Sequence, residues 1–478
     1  MIWLWLILGL FALLLIVLFT KMLLFKPKKE EKFEPSSFEI NREEVTNHLA
    51  EMVKCKTVSS NDKSLVDENE FARFRELLKT LYPVIHSKAT LSRVGNTGLL
   101  YFLKGASSSK PTVLMSHYDV VTAAEEYWEK APFEGIIEDD TLWGRGTLDT
   151  KGTLCGIMES LEALIKDGFV PKNDLYLAFS GDEEIAGPSA PAIVQELKKR
   201  NVTPAMVVDE GGAVVEKVFP GVSSPTALVG TAEKGMMDLK LTVKSKGGHA
   251  SAPPPHTPVG VLADAITKIE GKPFKFTLTP PVKSLFDTLG RHSTFLYKLI
   301  FANLWLFSPV LDLLCKVSGG EINAMMRTTC AFTMMQGSNA SNVLPPVASV
   351  VANLRIIGGM TYEDAITRLK KIVKNDDIEF EVMHAMNPST SSSTEGDGYM
   401  ILTEAISKTW PNALISPYLM FACSDSRHYH EISNYVYRFS AMQLTNEQRS
   451  YIHGHNERIT IDNLVKIVEF YLNLVSNC

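Results

Sequence analysis

Cysteine is scarce and scattered. Six residues, at 55, 155, 315, 330, 423 and 478, include no C-x-x-C pair, so neither a disulfide framework nor a zinc knuckle can be built on them. Charge of one sign is also missing. Lys+Arg 48 against Asp+Glu 54 leaves a net charge of −6 with no dominant basic block in the body, and the basic face of a nucleic-acid protein is therefore absent. There is no G-x-S-x-G, which removes the serine-hydrolase elbow. Internal repeats and long low-complexity tracts are lacking too. With 30 Gly and 24 Pro in 478 residues the composition is not collagen-like, while 45% hydrophobic and 21% charged residues suit a globular chain. At roughly 100–200 residues per domain, the length accommodates about two to four domains.

Long hydrophobic runs are few, and the longest stands at the N-terminus. Residues 1–25 (MIWLWLILGLFALLLIVLFTKMLLF) carry Lys21 as their only charge. A helix from Met1 to Thr20 would rise about 30 Å, the thickness of a bilayer's hydrocarbon core. The run lacks the basic start and small-residue end of a cleaved signal peptide. It reads as an uncleaved single-pass anchor, with a signal peptide and a secreted body as the alternative. Lys21, Lys26, Lys28, Lys29 and Lys32 follow it, and the positive-inside bias would hold that side in the cytosol. The sequons Asn201-Val-Thr203 and Asn339-Ala-Ser341 matter only for a luminal or extracellular body, which is the expected placement. Residues 26–37 (KPKKEEKFEPSS) read as a solvated tether. A second apolar stretch, 295–315, suits either a buried helix at a domain or subunit contact or a membrane-dipping or acyl-chain-binding element. Lys298, Pro309 and Asp312 oppose a full span, so an integral transporter is disfavoured.

From residue 38 the pattern is α/β. Short continuous apolar runs, Val113–Met115, Leu175–Phe179 and Met206–Val208, suit strands buried on both faces of a sheet. Between them Leu154, Ile157, Met158, Leu161, Leu164 and Ile165 recur at helical spacing. Near residue 230 the pattern changes to alternating strands around Gly247-Gly248-His249. This predicts a smaller α+β domain at 230–356 inserted between a first part, 38–229, and a second part, 357–478.

Three of the buried runs end in side chains that bind metals: His117, the Glu183-Glu184 pair and Asp209. Asp149 precedes the helix near Lys151, and His453 lies in a late loop. Ligands of open α/β sheets gather beyond the carboxyl ends of the strands, so these groups can converge. Imidazoles with carboxylates and no thiolates suit Zn²⁺, and also Mn²⁺ or Co²⁺. Taken singly, each acid also fits a helix cap or a solvated loop. An adjacent acid pair directly after a buried strand does not, because like charges raise each other's pKa unless a cation is near. Gly144-Arg145-Gly146 is no dinucleotide fingerprint, since Asp149 occupies the third-glycine position and would repel a pyrophosphate.

Ser116–Val121 (SHYDVV), Gly144–Gly152 (GRGTLDTKG), Gly181–Glu184 (GDEE), Val208–Gly212 (VDEGG) and Gly247–Ser251 (GGHAS) together resemble the aminoacylase/carboxypeptidase S family of co-catalytic di-zinc peptidases. The likeness spans about residues 40–478. It is strongest to the branches that hold vacuolar carboxypeptidase S and the N-fatty-acyl-amino-acid synthase/hydrolase. The resemblance implies that Asp149 bridges two zinc ions, with His117 and Asp209 completing one site and Glu184 and His453 the other. His453 rather than His455 matches the His-Gly-x-Asn-Glu pattern. It further implies Glu183 as general base, Asp119 orienting the His117 ring, and an inserted lid or dimerisation domain. From that domain His249 would donate to the oxyanion, in a homodimer reaching the partner's site, and Asn342 would bind substrate. Arg427 would grip a substrate α-carboxylate. The expected reaction is hydrolysis of N-acyl, including N-fatty-acyl, amino acids, reversible by mass action. A carboxypeptidase or dipeptidase on the same centre is the alternative, and a catalytically silent, membrane-tethered binding module is the reading from another class.

Overall fold

A computed structural model describes residues 1–28, 33–218 and 221–478. Lys29 and Lys32 of the tether lie outside the described residues. The N-terminal run is one helix, Ile2–Leu24, exposed except at Leu18 and Met22, which are buried, and Leu14, which is partly so, and it is long and apolar enough to cross a membrane. After the tether the Arg42–Val53 helix starts at Asn41, whose side chain accepts a hydrogen bond from Glu44 N, satisfying one of the open amides of its first turn.

The strands, in chain order, are β1 (Thr90–Val94), β2 (Gly98–Leu103), β3 (Ser107–His117), β4 (Ile136–Glu138), β5 (Thr141–Trp143), β6 (Asn173–Ser180), β7 (Met206–Val215), β8 (Thr226–Glu233) and β9 (Gly235–Lys244). They continue with β10 (Gly248–His249), β11 (Thr329–Gln336), β12 (Val343–Leu344), β13 (Val347–Ile356), β14 (Ile378–Met386), β15 (Leu414–Met420), β16 (Val436–Leu444) and β17 (Arg458–Thr460). Eight of them make the main sheet, ordered β1-β2-β6-β3-β7-β16-β8-β15. Its centre is parallel, with β3 beside β6 and β7, and β7 beside β16, whereas β1 and β2 pair antiparallel at one edge. The apolar runs of β3, β6 and β7 are buried on both faces, which is why they read as continuous rather than alternating.

One face of this sheet is covered by the helices Lys151–Lys166 and Ile461–Val475. They approach closely because Gly156 has no side chain: a Cβ there would stand 2.4 Å from Ile467 Cγ2. That contact brings the N-terminus of the first helix, and the Asp149 loop before it, against the last segment of the chain.

A second, antiparallel sheet is ordered β11-β13-β9-β14. The helices Pro258–Glu270 and Tyr362–Val373 pack on it around Leu239, Leu241, Leu262, Val350, Leu354 and Leu369, a core distinct from that of the main sheet. Two differences from the expected 230–356 segment follow. The second sheet runs on to Met386, because Ala365, Leu369, Val373 and Ile378 are buried in the same core. Conversely, the helical block from Pro280 to Met325 belongs to the main core, where Val282, Leu285, Phe286 and Leu289 are buried.

Candidate metal centre

The chain places its chemistry at the carboxyl ends of β3 and β6 and midway along β7. His117 is the last residue of β3, and Glu183 and Glu184 follow Ser180, the end of β6. Asp149 reaches the same place from the loop ahead of the Lys151–Lys166 helix, through a cis Asp149–Thr150 peptide bond. His453 arrives from the far end of the sequence with a positive φ of 57°.

Asp149 stands between the two imidazoles. Its Oδ1 is 3.0 Å from His117 Nε2 and its Oδ2 is 3.0 Å from His453 Nε2. On the His453 side Glu184 Oε2 is also 3.0 Å from Nε2. On the His117 side the neighbouring acid is Glu210, whose Oε1 is 3.3 Å from Nε2. His117 with Asp149 and Glu184, and His117 with Glu183 and Glu210, each bring ligand atoms within 4.8 Å of one another. These two groups share the His117 imidazole, and the Asp149 carboxylate links it to His453.

Here the structure differs from the expectation for Asp209. Its carboxylate accepts a hydrogen bond from Ser426 N at 3.0 Å, and Glu210 takes the place beside His117. The pairing of β7 with β16 shifts register directly after Asp209, from Arg438–Asp209 to Phe439–Gly212, so Glu210 sits in an irregularity that parts its side chain from that of Asp209.

Asp119 is fully buried. Its carboxylate accepts from Glu183 N at 3.2 Å and Glu184 N at 3.1 Å, and its Oδ1 is 3.3 Å from His117 Nδ1. Its main-chain oxygen is closer still to Nδ1, at 3.0 Å, so one residue sets both the ring of His117 and the acidic pair. Glu457, which the sequence shows only as part of a motif, does comparable work. It is fully buried, accepts from Gly146 N, Leu148 N and Asp149 N, and pairs with Arg145 Nη1 at 2.7 Å. Arg145 Nη2 donates in turn to Gly454 O, tying the Asp149 loop to the His453 loop. A buried Glu at a chain end far from its partners carries no periodic signal that would mark it in advance.

The electrostatics ask for a cation. Hydrogen bonds to Asp149 and Glu184 hold His453 up at about 10. Burial works to lower His117, yet Glu210, Asp119 and Asp149 raise it well above the ordinary imidazole value. Burial, with Asp149 next, pushes Glu210 up to about 8, and burial raises Glu183 and Glu184 as well. Asp425 sits beneath the site, hydrogen-bonded by Ser180 Oγ, and burial pushes it up to about 8. In addition, Glu184 Oε1 is buried without a hydrogen-bond partner among the described residues. A divalent cation would relieve both the orphaned oxygen and the crowded charge, and the donor set fits one.

The remaining expected residues lie elsewhere. His249 and Asn342 are neighbours on the β10–β12 ribbon, where Ala250 N donates to Asn342 O and Ser251 N to His249 Nδ1. Both are exposed, and among the described residues no hydrogen bond or ion pair joins them to the His117 cluster. Arg427 adjoins Ser426 but is turned inward. Its Nη2 donates to Asn387 O at 2.5 Å, and its Nη1, 3.8 Å from Glu233 Oε2, is buried without a hydrogen bond among the described residues.

Residues 113–477 match the family described as Peptidase family M20/M25/M40. The chain belongs to this family. M20 proteins are metal-dependent hydrolases, and this chain carries the donor cluster such chemistry needs. It is 35% identical over 477 residues to the "Probable carboxypeptidase S-like 2" of Dictyostelium discoideum, covering 97% of this chain and 92% of that protein. It is equally 35% identical over 448 residues to the "N-fatty-acyl-amino acid synthase/hydrolase PM20D1" of Xenopus tropicalis, covering 92% and 86%. Among solved structures, the M20 family metallo-carboxypeptidase Sso-CP2 from Sulfolobus solfataricus superposes with a TM-score of 0.64 over 90% of this chain and 98% of that one. At 18% identity, that likeness is one of fold.

Proposed function

We propose that this M20 chain hydrolyses the amide bond of N-acyl amino acids, N-fatty-acyl amino acids foremost, and catalyses the reverse condensation when amine and acid are abundant. The observation that carries the reading is Asp149, which presents one oxygen to His117 and the other to His453. That is the donor geometry of a pair of cations sharing a carboxylate. Two Zn²⁺ would be held there, with His117, Asp149 and Glu210 offering donors to one and His453, Asp149 and Glu184 to the other. Glu210 stands where Asp209 is expected, and Mn²⁺ or Co²⁺ suit the same donors. Bound there, the ions supply Lewis acidity to the scissile carbonyl and to the attacking water.

Glu183 is the general base. Burial raises its carboxyl well above the usual range, which favours its holding a proton. It takes the proton of the attacking water and returns it to the leaving amine. Asp119 keeps His117 and Glu183 in place through the hydrogen bonds above. The segment that bears the second sheet is proposed as a lid or dimerisation domain. It supplies His249 to the developing oxyanion, within one chain or across a homodimer, and Asn342 to the substrate. Arg427, whose Nη1 has a hydrogen bond to spare, is proposed to take the substrate carboxylate. The N-terminal helix is assigned as a single-pass anchor with the body luminal or extracellular.

The carboxypeptidase names among the relatives favour a second reading, removal of the last residue of a short peptide by the same centre. Assay of the zinc-loaded full chain on oleoyl-phenylalanine and on a blocked dipeptide separates the two. Turnover of the acyl amino acid is expected, and exclusive turnover of the peptide rejects the first reading. Glu183→Gln is expected to lower kcat by about 10²–10⁴-fold at unchanged metal content. Full activity in that variant would remove the assigned base.

A further inference from the structure

The helices Phe295–Ala302 and Leu304–Ser318 meet at Asn303 in a bend of 109°. The second of them packs on the body through Leu304 and Cys315, and its Asp312 Oδ1 accepts from the buried Arg327 at 2.6 Å, while Lys316, paired with Asp312, is exposed. Its apolar side faces out. Val310, Leu313, Leu314 and Val317, at the i, i+3, i+4, i+7 spacing of one helical face, are 52–82% exposed, and Leu296 and Trp305 continue the patch at 61% and 56%.

The bend is fastened to the N-terminal helix. Asn303 is fully buried, and its Nδ2 donates to Leu18 O at 3.1 Å. Phe19 and Phe295 lie 6.2 Å apart, ring to ring. Lys21 Nζ sits 5.3 Å from the Trp305 ring, and Arg291 lies over Phe25 while donating to Lys26 O. Leu18 is six residues before the helix ends at Leu24, so the bend reaches about 9 Å back along the apolar helix. That matches the roughly 5–10 Å to which interfacial helices sink into a bilayer. Trp305 and Lys21 meet where aromatic and basic side chains collect, at the headgroup level.

We propose that the Phe295–Ser318 elbow is a second membrane contact, a half-sunk wedge that seats the body directly on a lipid bilayer beside its anchor. The proposal rests on the anchor assignment made above for the Ile2–Leu24 helix. The outward apolar stripe would otherwise be left in water, and it is continuous with the anchor that needs lipid. Lys21, one turn beyond Leu18 on the same helix, is long enough to bring its ammonium to the headgroups. On this account the tether does not let the body swing free. The wedge and the anchor enter the membrane as one unit.

The full chain, reconstituted in vesicles of phosphatidylcholine with a minor phosphatidylserine fraction, tests this by spin labelling. Labels are placed singly through Leu313→Cys and Val317→Cys on the wedge, Phe11→Cys on the anchor and Glu381→Cys on the exposed part of β14. The unsubstituted chain gives the background of the native cysteines. The measurement is relaxation by oxygen, which concentrates in lipid, against a water-soluble nickel chelate. The expected result is a shift towards oxygen at 313 and 317 as at 11, with 381 reading as water. Nickel access at 313 and 317 with 11 still in lipid overturns the wedge and leaves the anchor. Shielding of 313 and 317 from both reagents, with spin–spin broadening, assigns the patch to a second copy and also overturns it. If 11 reads as water or is lost by cleavage while 313 and 317 read as lipid, the anchor assignment falls and the wedge holds the membrane alone. If all three read as water, both fall.

Discussion

Asp209 and Glu210 are adjacent, chemically alike and both buried or nearly so, yet their carboxylates have different surroundings. Asp209 accepts a backbone amide from Ser426, whereas Glu210 lies 3.3 Å from His117 Nε2. If Glu210 is a ligand, Glu210→Gln should leave about one metal ion fewer per chain after dialysis, because a neutral amide replaces a hard anionic donor. Asp209→Asn should keep its metal, since an amide oxygen can still accept from Ser426 N. Elemental analysis of the two purified variants decides it, and metal loss only in the Asp209 variant would restore the expectation from sequence. His117, Asp149, Glu184 and His453 were legible at this scale, each ending an apolar run or sitting in a loop where an unpaired polar side chain has no packing reason to be. The choice within Asp209-Glu210 was not, because a two-residue motif carries no record of which way its strand faces.

At the scale of elements, the site depends on two loops that are distant in sequence and joined by Arg145 and Glu457. Removing one partner of a buried ion pair strands the other. Glu457→Gln should therefore destabilise by about 3–5 kcal/mol in urea unfolding and loosen metal retention together, whereas a surface pair such as Lys244–Glu379 should matter little when broken. The junction of β8 and β9 supplies a pH test. Lys234 is buried there, donates to Ala324 O and Arg327 O, and is held by burial down to about 7. Between about pH 7 and the ordinary lysine value near 10.5, the unfolded chain binds a proton at this position that the folded chain does not. Stability from this group therefore rises with pH across that window, and below it the cost of the buried ammonium is borne in full. The urea midpoint of the chain should gain on that of Lys234→Met from pH 7 to 9, and a flat difference would show that Lys234 stays charged.

For the molecule as a whole, the crowded acids predict a folded state held partly by its ions. Ligands that bind the native state alone stabilise it in proportion to their occupancy. Chelation should accordingly abolish amide hydrolysis and lower Tm, and re-addition of Zn²⁺ should restore both. An unchanged Tm with lost activity would place the ions outside the structural balance. The two separate cores carry a further consequence. Truncation of Leu239, fully buried in the second sheet, should cost about 2–5 kcal/mol and unfold that sheet ahead of the main one in a two-step melt.

The sequence by itself determined the α/β class, the single N-terminal helix of membrane length and most of the residues that cluster beside the central strands. These signals are local: a period of 2 or 3.6, an uninterrupted apolar run, an acid pair with no packing reason to exist. Tertiary structure alone decided that the Pro280–Met325 helices join the main core, that β14 completes the second sheet, that Glu210 rather than Asp209 approaches His117, and that Arg427 turns inward. In each case the outcome depends on which surface an element finds to bury itself against. Periodicity reports that a face is apolar, but only the folded chain supplies its partner.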